Sequence, residues 1–252
     1  MIYDLQKANI WKRISAFLFD LILLAILVVG AALALTTILG YDGYTRQVEE
    51  IYTSYEGTYG ISFNITAEEY EKLNEEQLKI YDKAFLAISE DEEFNQLYTM
   101  LMNLTLLITT FSILLGYLIL ELLIPLLLGN GQTLGKKIFG VGVMRIDGVK
   151  ISPLLLFIRT VLGKYTLETM IPVFLIIMIY FNLTDIVGVG VILLLLIVQV
   201  VMMIVTNTNS LLHDKLSSTV AVDLASQMIF DSPEELIEYK KRLHQAEIAE
   251  KD

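Results

Sequence analysis

Four long apolar stretches limit what this chain can become. Residues 14–39 contain one charge, Asp20, and residues 101–128 contain one, Glu121. Residues 169–180 and 186–206 contain none. A bilayer crossing takes about 20 predominantly apolar residues. The first, second and fourth stretches meet that length, and the third meets it when extended to 166–182, with Glu168 near its start. The expected fold is an all-α membrane protein with four transmembrane helices at 14–39, 99–128, 166–182 and 186–206. Residues 14–39 are too long for a signal peptide, carry Asp20 and lack a small-residue cleavage site. Mean hydropathy is +0.61 and there are no cysteines, so neither a disulfide framework nor a thiolate metal site is available.

The net charge of −11 hides a segregation. Among the eighteen Lys and Arg, only Arg46, Lys72, Lys79 and Lys83 fall in 40–98. The others occupy 1–13, 129–165 and 207–252, three regions that share one side of a four-span protein. The excess of Lys and Arg marks the cytoplasmic side. The expectation is therefore both termini inside, with 1–13, 129–165 and the tail 207–252 cytoplasmic, and 40–98 an acidic extracellular insert. Trp11 beside Lys12 and Arg13 reads as an interfacial anchor.

Local signals fill in the connections. Gly40-Tyr41-Asp42-Gly43 is expected to end the first span. Thr66-Ala67-Glu68-Glu69 and Ser89-Glu90-Asp91-Glu92 are capping-box patterns, so the insert is expected to be helical. Its ordinary reading is a solvated cap, and its sharper one a cation funnel or docking surface. In the 129–165 loop, β-prone runs flank Asp147-Gly148, which predicts a small cytoplasmic β-hairpin over 141–151. Thr219–Asp223 is β-prone and a candidate to join it. Ser152-Pro153 predicts a helix start, followed by an interfacial amphipathic helix that carries Arg159 and Lys164. A tight turn is expected around Asn182 and Asp185. Ser232-Pro233-Glu234-Glu235 starts a charged terminal helix.

Gly131-Gln132-Thr133-Leu134-Gly135-Lys136-Lys137 looks at first like a phosphate loop. A P-loop requires glycine where Asn130 stands, Ser or Thr where Lys137 stands, and a preceding strand. All three fail, and no dinucleotide fingerprint or nucleic-acid motif is present. On the membrane-side reading, Lys136 and Lys137 face lipid headgroups, while Gln132 and Thr133 bond the carbonyls at the end of the second span. No serine–histidine, metal or carboxylate motif supports an enzyme, and no cofactor is implied. His213 and Asp214 make at most half of a metal site, since the chain has two histidines.

The series Arg13, Asp20, the Gly-Gln-Thr-Leu-Gly-Lys stretch, Asp147-Gly148, Arg159 and His213-Asp214-Lys215 resembles the RDD family of integral membrane proteins. Arg13 and Asp20 match its arginine and first aspartate, and Asp214 its second. The resemblance implies a charged network of Arg13, Asp20, Arg159, His213 and Asp214, and a multi-pass place in a bacterial plasma membrane. It also implies a cation/proton secondary transporter, with sodium and protons as substrates. The long insert departs from the compact family pattern.

Ionisable side chains in hydrocarbon cost at least about 2.5 kcal/mol unless they pair, neutralise or face the protein interior. Asp20, Glu121 and Gln199 each lie about seven residues from a cytoplasmic helix end, near 10 Å deep. They form one expected polar layer and a candidate ion- and proton-binding site. Four helices enclose little pathway, so a transporter is expected to be a homo-oligomer among membrane lipids. The competing expectation is a fixed ionic network in a non-transporting scaffold or accessory subunit that binds other proteins.

Overall fold

The computed structural model describes residues 2–180, 183, 184 and 186–249. It is mostly helical, with four helices long and apolar enough to cross a membrane and one small two-stranded sheet. In chain order the helices are α1 (Ile10–Ile38), α2 (Tyr41–Tyr59), α3 (Ala67–Glu71) and α4 (Glu75–Ser89). Next come α5 (Glu92–Leu128), α6 (Leu134–Ile138) and strand β1 (Val141–Arg145). Then follow α7 (Pro153–Tyr180), α8 (Ile186–Val205), α9 (Leu212–Leu216), β2 (Thr219–Asp223) and α10 (Pro233–Ala249). The apolar helices are α1, α5, α7 and α8. At 37 residues α5 is about 55 Å long, well beyond the roughly 30 Å of hydrocarbon, so its acidic first turns extend past it.

Two compact units divide the chain. One comprises residues 29–112. Its α2 begins directly after Gly40, whose left-handed backbone (φ 67°) ends α1, so the expected stop at Gly40–Gly43 is also a start. Thr66 caps α3 in the predicted capping box. Asn74 forms a second one, its side chain accepting from Glu76 and Gln77 N–H, and it breaks the predicted helix into α3 and α4. At α5 the cap is Asp91, which accepts the Phe94 N–H at 3.0 Å, rather than Ser89. Val48, Ile88 and Phe94 form the core, with Tyr52 edge-on to Phe94 and Phe63 at 5.2 and 5.5 Å.

The other unit comprises residues 1–28 and 113–252. Here β1 pairs with β2 antiparallel, Val141 opposite Asp223 and Arg145 opposite Thr219. This corrects the hairpin expectation. The Asp147–Gly148 turn forms, with Gly148 N–H donating to the Arg145 carbonyl at 3.0 Å. Its return limb contributes only a Met144–Lys150 bridge, because Ser152 caps α7 at once by accepting Leu155 N–H. The long partner is therefore Thr219–Asp223. The N-terminal arm lines β2, with Ala8 N–H on the Ala221 carbonyl at 3.1 Å and Asp223 N–H on the Gln6 carbonyl at 3.0 Å. Val143 packs with Ile151, Leu156 and Leu122, which seats the sheet on α5.

The interfacial helix and the third span, expected as separate elements, form the single helix α7. The helix continues through Gly163, which alone does not end a helix, and through Pro172, which follows directly on the π-wound turns. Residues 158–170 of α7 and 118–123 of α5 are wound as wider π-helix, the form in which α-helices accommodate an extra residue near functional groups. Asn182 and Asp185, the ends of the expected turn, lie outside the described residues.

Candidate functional site

Asp20 is 4% exposed, inside α1. Its Oδ1 accepts the Gly135 N–H at 2.8 Å, and its Oδ2 accepts the Thr133 hydroxyl. Thr133 is the N-cap of α6 and also accepts the Lys136 N–H at 3.3 Å. Gly135 is required here: a Cβ would stand 2.8 Å from Asp20 Oδ1 and closer still to the Ala16 carbonyl oxygen. The glycine-rich loop is thus folded inward onto the first span.

Lys136 follows it in. Its Nζ donates to Glu121 Oε2 at 3.2 Å and to Thr133 Oγ1 at 3.2 Å. Glu121 Oε1 accepts from Lys164 on α7, and the Glu121 carbonyl accepts the Thr160 hydroxyl at 2.9 Å. One chain of polar contacts therefore runs Asp20–Thr133–Lys136–Glu121–Lys164 across α1, α6, α5 and α7. Asp20 and Glu121 do not bond each other; Thr133 and Lys136 stand between them. The lysine loop is corrected accordingly. Gln132, Thr133 and Lys136 are buried, Gln132 donating to the Val141 carbonyl at 3.0 Å. Of the two lysines expected at the headgroups only Lys137 is exposed.

A second cluster centres on Asp214, which is fully buried. Arg159 donates to its Oδ1 through Nε at 3.2 Å and a terminal nitrogen at 2.7 Å. Arg13 reaches Oδ2 at 3.3 Å and also donates to the Asn209 carbonyl. The Leu211 N–H adds a bond at 3.1 Å. The expected network of Arg13, Arg159, His213 and Asp214 is therefore contiguous, while Asp20 belongs to the other cluster. His213 faces Glu168, its Nδ1 lying 2.9 and 2.8 Å from the two carboxylate oxygens. Gln199 hydrogen-bonds Glu168 and accepts the Leu212 N–H at 3.3 Å. It stands with Glu168 rather than with Asp20 and Glu121.

Across both clusters four carboxylates, Asp20, Glu121, Glu168 and Asp214, face four cations, Arg13, Lys136, Arg159 and Lys164. Burial moves the outlying groups in predictable directions. It lowers Lys136 to about 8, even though Glu121 pulls the other way. It would raise Asp214, but His213, Arg159 and Arg13 outweigh it and hold that carboxyl below its ordinary range. Burial also lowers the His213 imidazole, against Asp214 and Glu168. Between the clusters lies a cavity of about 200 Å³ that Arg13, Asp20, Glu121, Lys136, Arg159 and His213 help to line. Apolar groups such as Phe17 and Met203 complete its wall.

The RDD family profile matches residues 7–218, most of the chain. The chain belongs to the RDD family. Every residue of both clusters lies inside the matched stretch, from Arg13 to Asp214. Comparison with curated proteins and with solved structures gave no match.

Sequence reasoning passed over Lys164, Glu168 and Thr160 as members of the network. The available signal was their spacing: Thr160, Lys164 and Glu168 recur every four residues, which places polar groups along one side of a helix. No group of three or more His, Asp or Glu arranged to hold a metal occurs among the described residues.

Proposed function

We propose that this RDD-family membrane protein exchanges a monovalent cation, sodium first, for protons. In this reading Lys136 is the proton carrier. The observation that carries it is the position of the Lys136 ammonium, buried between Glu121 and the Thr133–Asp20 pair beside a cavity. When that ammonium gives up its proton, two carboxylates and a hydroxyl remain around an uncharged amine. A hard cation favours such oxygen donors. Sodium then enters as the proton leaves, and the charge among these groups is unchanged. The orientation adopted is the one the Lys and Arg distribution favours, with the termini and Lys136 loop cytoplasmic and residues 40–98 outside, in a bacterial cell membrane. The working unit is a homo-oligomer among membrane lipids.

Purified protein in sealed vesicles tests this. Sodium added outside should move protons, with a rate that rises as pH passes about 8, where the buried Lys136 ammonium becomes labile. Lys136→Arg keeps the positive charge but cannot release a proton in this range, so exchange should vanish while folding persists. The balance of four carboxylates with four cations favours a second reading, a non-transporting scaffold or accessory subunit in which the network only pins helices. Folded wild-type protein giving no pH change with sodium, lithium or potassium would leave that second reading.

A further inference from the structure

His213 lines the cavity between the two clusters. A second cavity, about 180 Å³, lies between α7 and α8. Glu168, Pro172, Ile192, Leu195, Gln199 and Leu212 help to line it. Ile192 and Gln199 are seven residues apart on α8, so it extends about 10 Å along that helix toward its middle. Glu168 lines this second space as His213 lines the first, and the hydrogen bond from His213 Nδ1 to Glu168, 2.8 Å to Oε2, links the two linings.

The imidazole is held firmly. Gly163 lies against the base of the side chain so closely that a Cβ there would approach His213 Cβ to 2.6 Å. The His213 N–H donates to Glu168 Oε1 at 3.0 Å, and the Ser217 hydroxyl donates to the His213 carbonyl at 2.7 Å. The charged groups acting on it are Glu168 and Arg159 on α7 and Asp214 on α9; Arg13 on α1 lines the same cavity, and the neutral Gln199 on α8 bonds Glu168. Nε2 lies 3.5 Å from Asp214 Oδ1. The structure-holding bonds of Asp214 come from Arg159, Arg13 and Leu211, so its charge is satisfied without His213. A contact of 2.8 Å between a ring nitrogen and a carboxylate oxygen requires one proton between them, carried by either partner.

We infer that His213 and Glu168 form a proton relay that joins the exchange cavity to the second cavity. The relay rests on the exchange reading above. A proton arriving from the first cavity binds Nε2 and makes the imidazolium. The Nδ1 proton then passes to the Glu168 carboxylate, which becomes a neutral acid. Glu168 releases that proton into the second cavity beside Gln199. The neutral imidazole, now protonated on Nε2, returns to its Nδ1–H tautomer by exchange with water. One proton enters and one leaves, and no other bond changes.

Two measurements on one preparation separate the relay from the exchange site. The first is proton release on adding sodium to protein in detergent, followed with a pH dye. It reads Lys136 alone. The second is sodium-driven proton movement in sealed vesicles, which needs the whole path. Glu168→Gln keeps the shape but carries no proton. It should leave detergent release in place in the folded protein and slow vesicle exchange by about a hundredfold, the usual effect of losing a positioned proton-transfer group. Leu195→Trp, which fills the second cavity, should give the same split. Vesicle exchange at the wild-type rate in both variants would overturn the relay, as would Glu168→Gln losing detergent release too. Wild-type protein that releases no proton in detergent would overturn the exchange reading, and the relay with it.

Discussion

Asp214→Asn tests whether the ionic network holds the spans together. The substitution keeps the shape and removes one charge from a fully buried position. Two guanidiniums lose their counter-ion, Arg159 at 2.7 Å and Arg13 at 3.3 Å, and both side chains are largely buried. Removing one partner of a buried pair costs about 3–5 kcal/mol, because the remaining charge stays desolvated. For a chain of this size each kcal/mol shifts the melting temperature by roughly 2–4 °C. The expected fall is therefore about 6–20 °C, read as loss of the monodisperse size-exclusion peak after heating in detergent. Asp147→Asn is the control. It removes a 2.6 Å pair with Arg145 whose side chains are 37% and 44% exposed, and exposed pairs are worth only about 0–1 kcal/mol. An Asp214→Asn protein melting within the range of that control would refute the reasoning. The pH dependence has a definite sign. Because the Asp214 carboxyl is held below its ordinary range, its contribution is complete above the unfolded value near 4 and is lost as pH falls through the folded one. Wild-type melting should drop in that acid range, and Asp214→Asn should drop less.

Gly135→Ala should cost about 1–3 kcal/mol by overpacking, since its Cβ meets Asp20 Oδ1 at 2.8 Å; a melting curve that matches wild type would remove Gly135 from the Asp20 cradle. Thr160→Val should cost roughly 1 kcal/mol for the lost hydrogen bond to the Glu121 carbonyl, and an unchanged melting temperature would show that the π-wound turn satisfies that carbonyl otherwise. For the orientation, a cysteine at Thr58 should react with an impermeant thiol reagent on intact cells, and one at Glu234 only after permeabilisation; the reverse labelling would invert the topology.

What the sequence disclosed depended on the range of the interaction involved. The four apolar helices were legible because span length is set by bilayer thickness, and runs such as 186–206 carry no competing signal. Caps at Thr66 and Ser152 were legible because a cap is decided within four residues. The pairing of β1 was not, because Thr219–Asp223 lies more than seventy residues downstream and the Asp147–Gly148 turn offers a nearer partner. Likewise the division of 153–180 into an interfacial helix and a span followed its hydropathy, which Arg159 and Lys164 depress. Those two charges are satisfied by Asp214 and Glu121 from other elements, so the helix continues through them.

The lysine pair shows why depth along a span was a better guide than residue type in a loop. Asp20 and Glu121 were singled out because a charge in an apolar run must have a partner, and both have one. Lys136 and Lys137 are chemically identical neighbours, and loop position assigned both to the headgroups. Their fates diverge because Thr133 starts a helix at Leu134. Successive residues on a helix are turned by about 100°, so one lysine must point away from wherever the other points. Thr133 and Gly135 are both tied to Asp20, and that anchors which side faces α1. Lys136 is then directed at Glu121, and Lys137 at the surface. An inward carboxylate on the first span thus decides the environment of a lysine more than a hundred residues later. Burial lowers the Lys136 ammonium to about 8, although Glu121 pulls the other way. The group worth following in an exchange assay is therefore Lys136, reached from the sequence only through the carboxylates it serves.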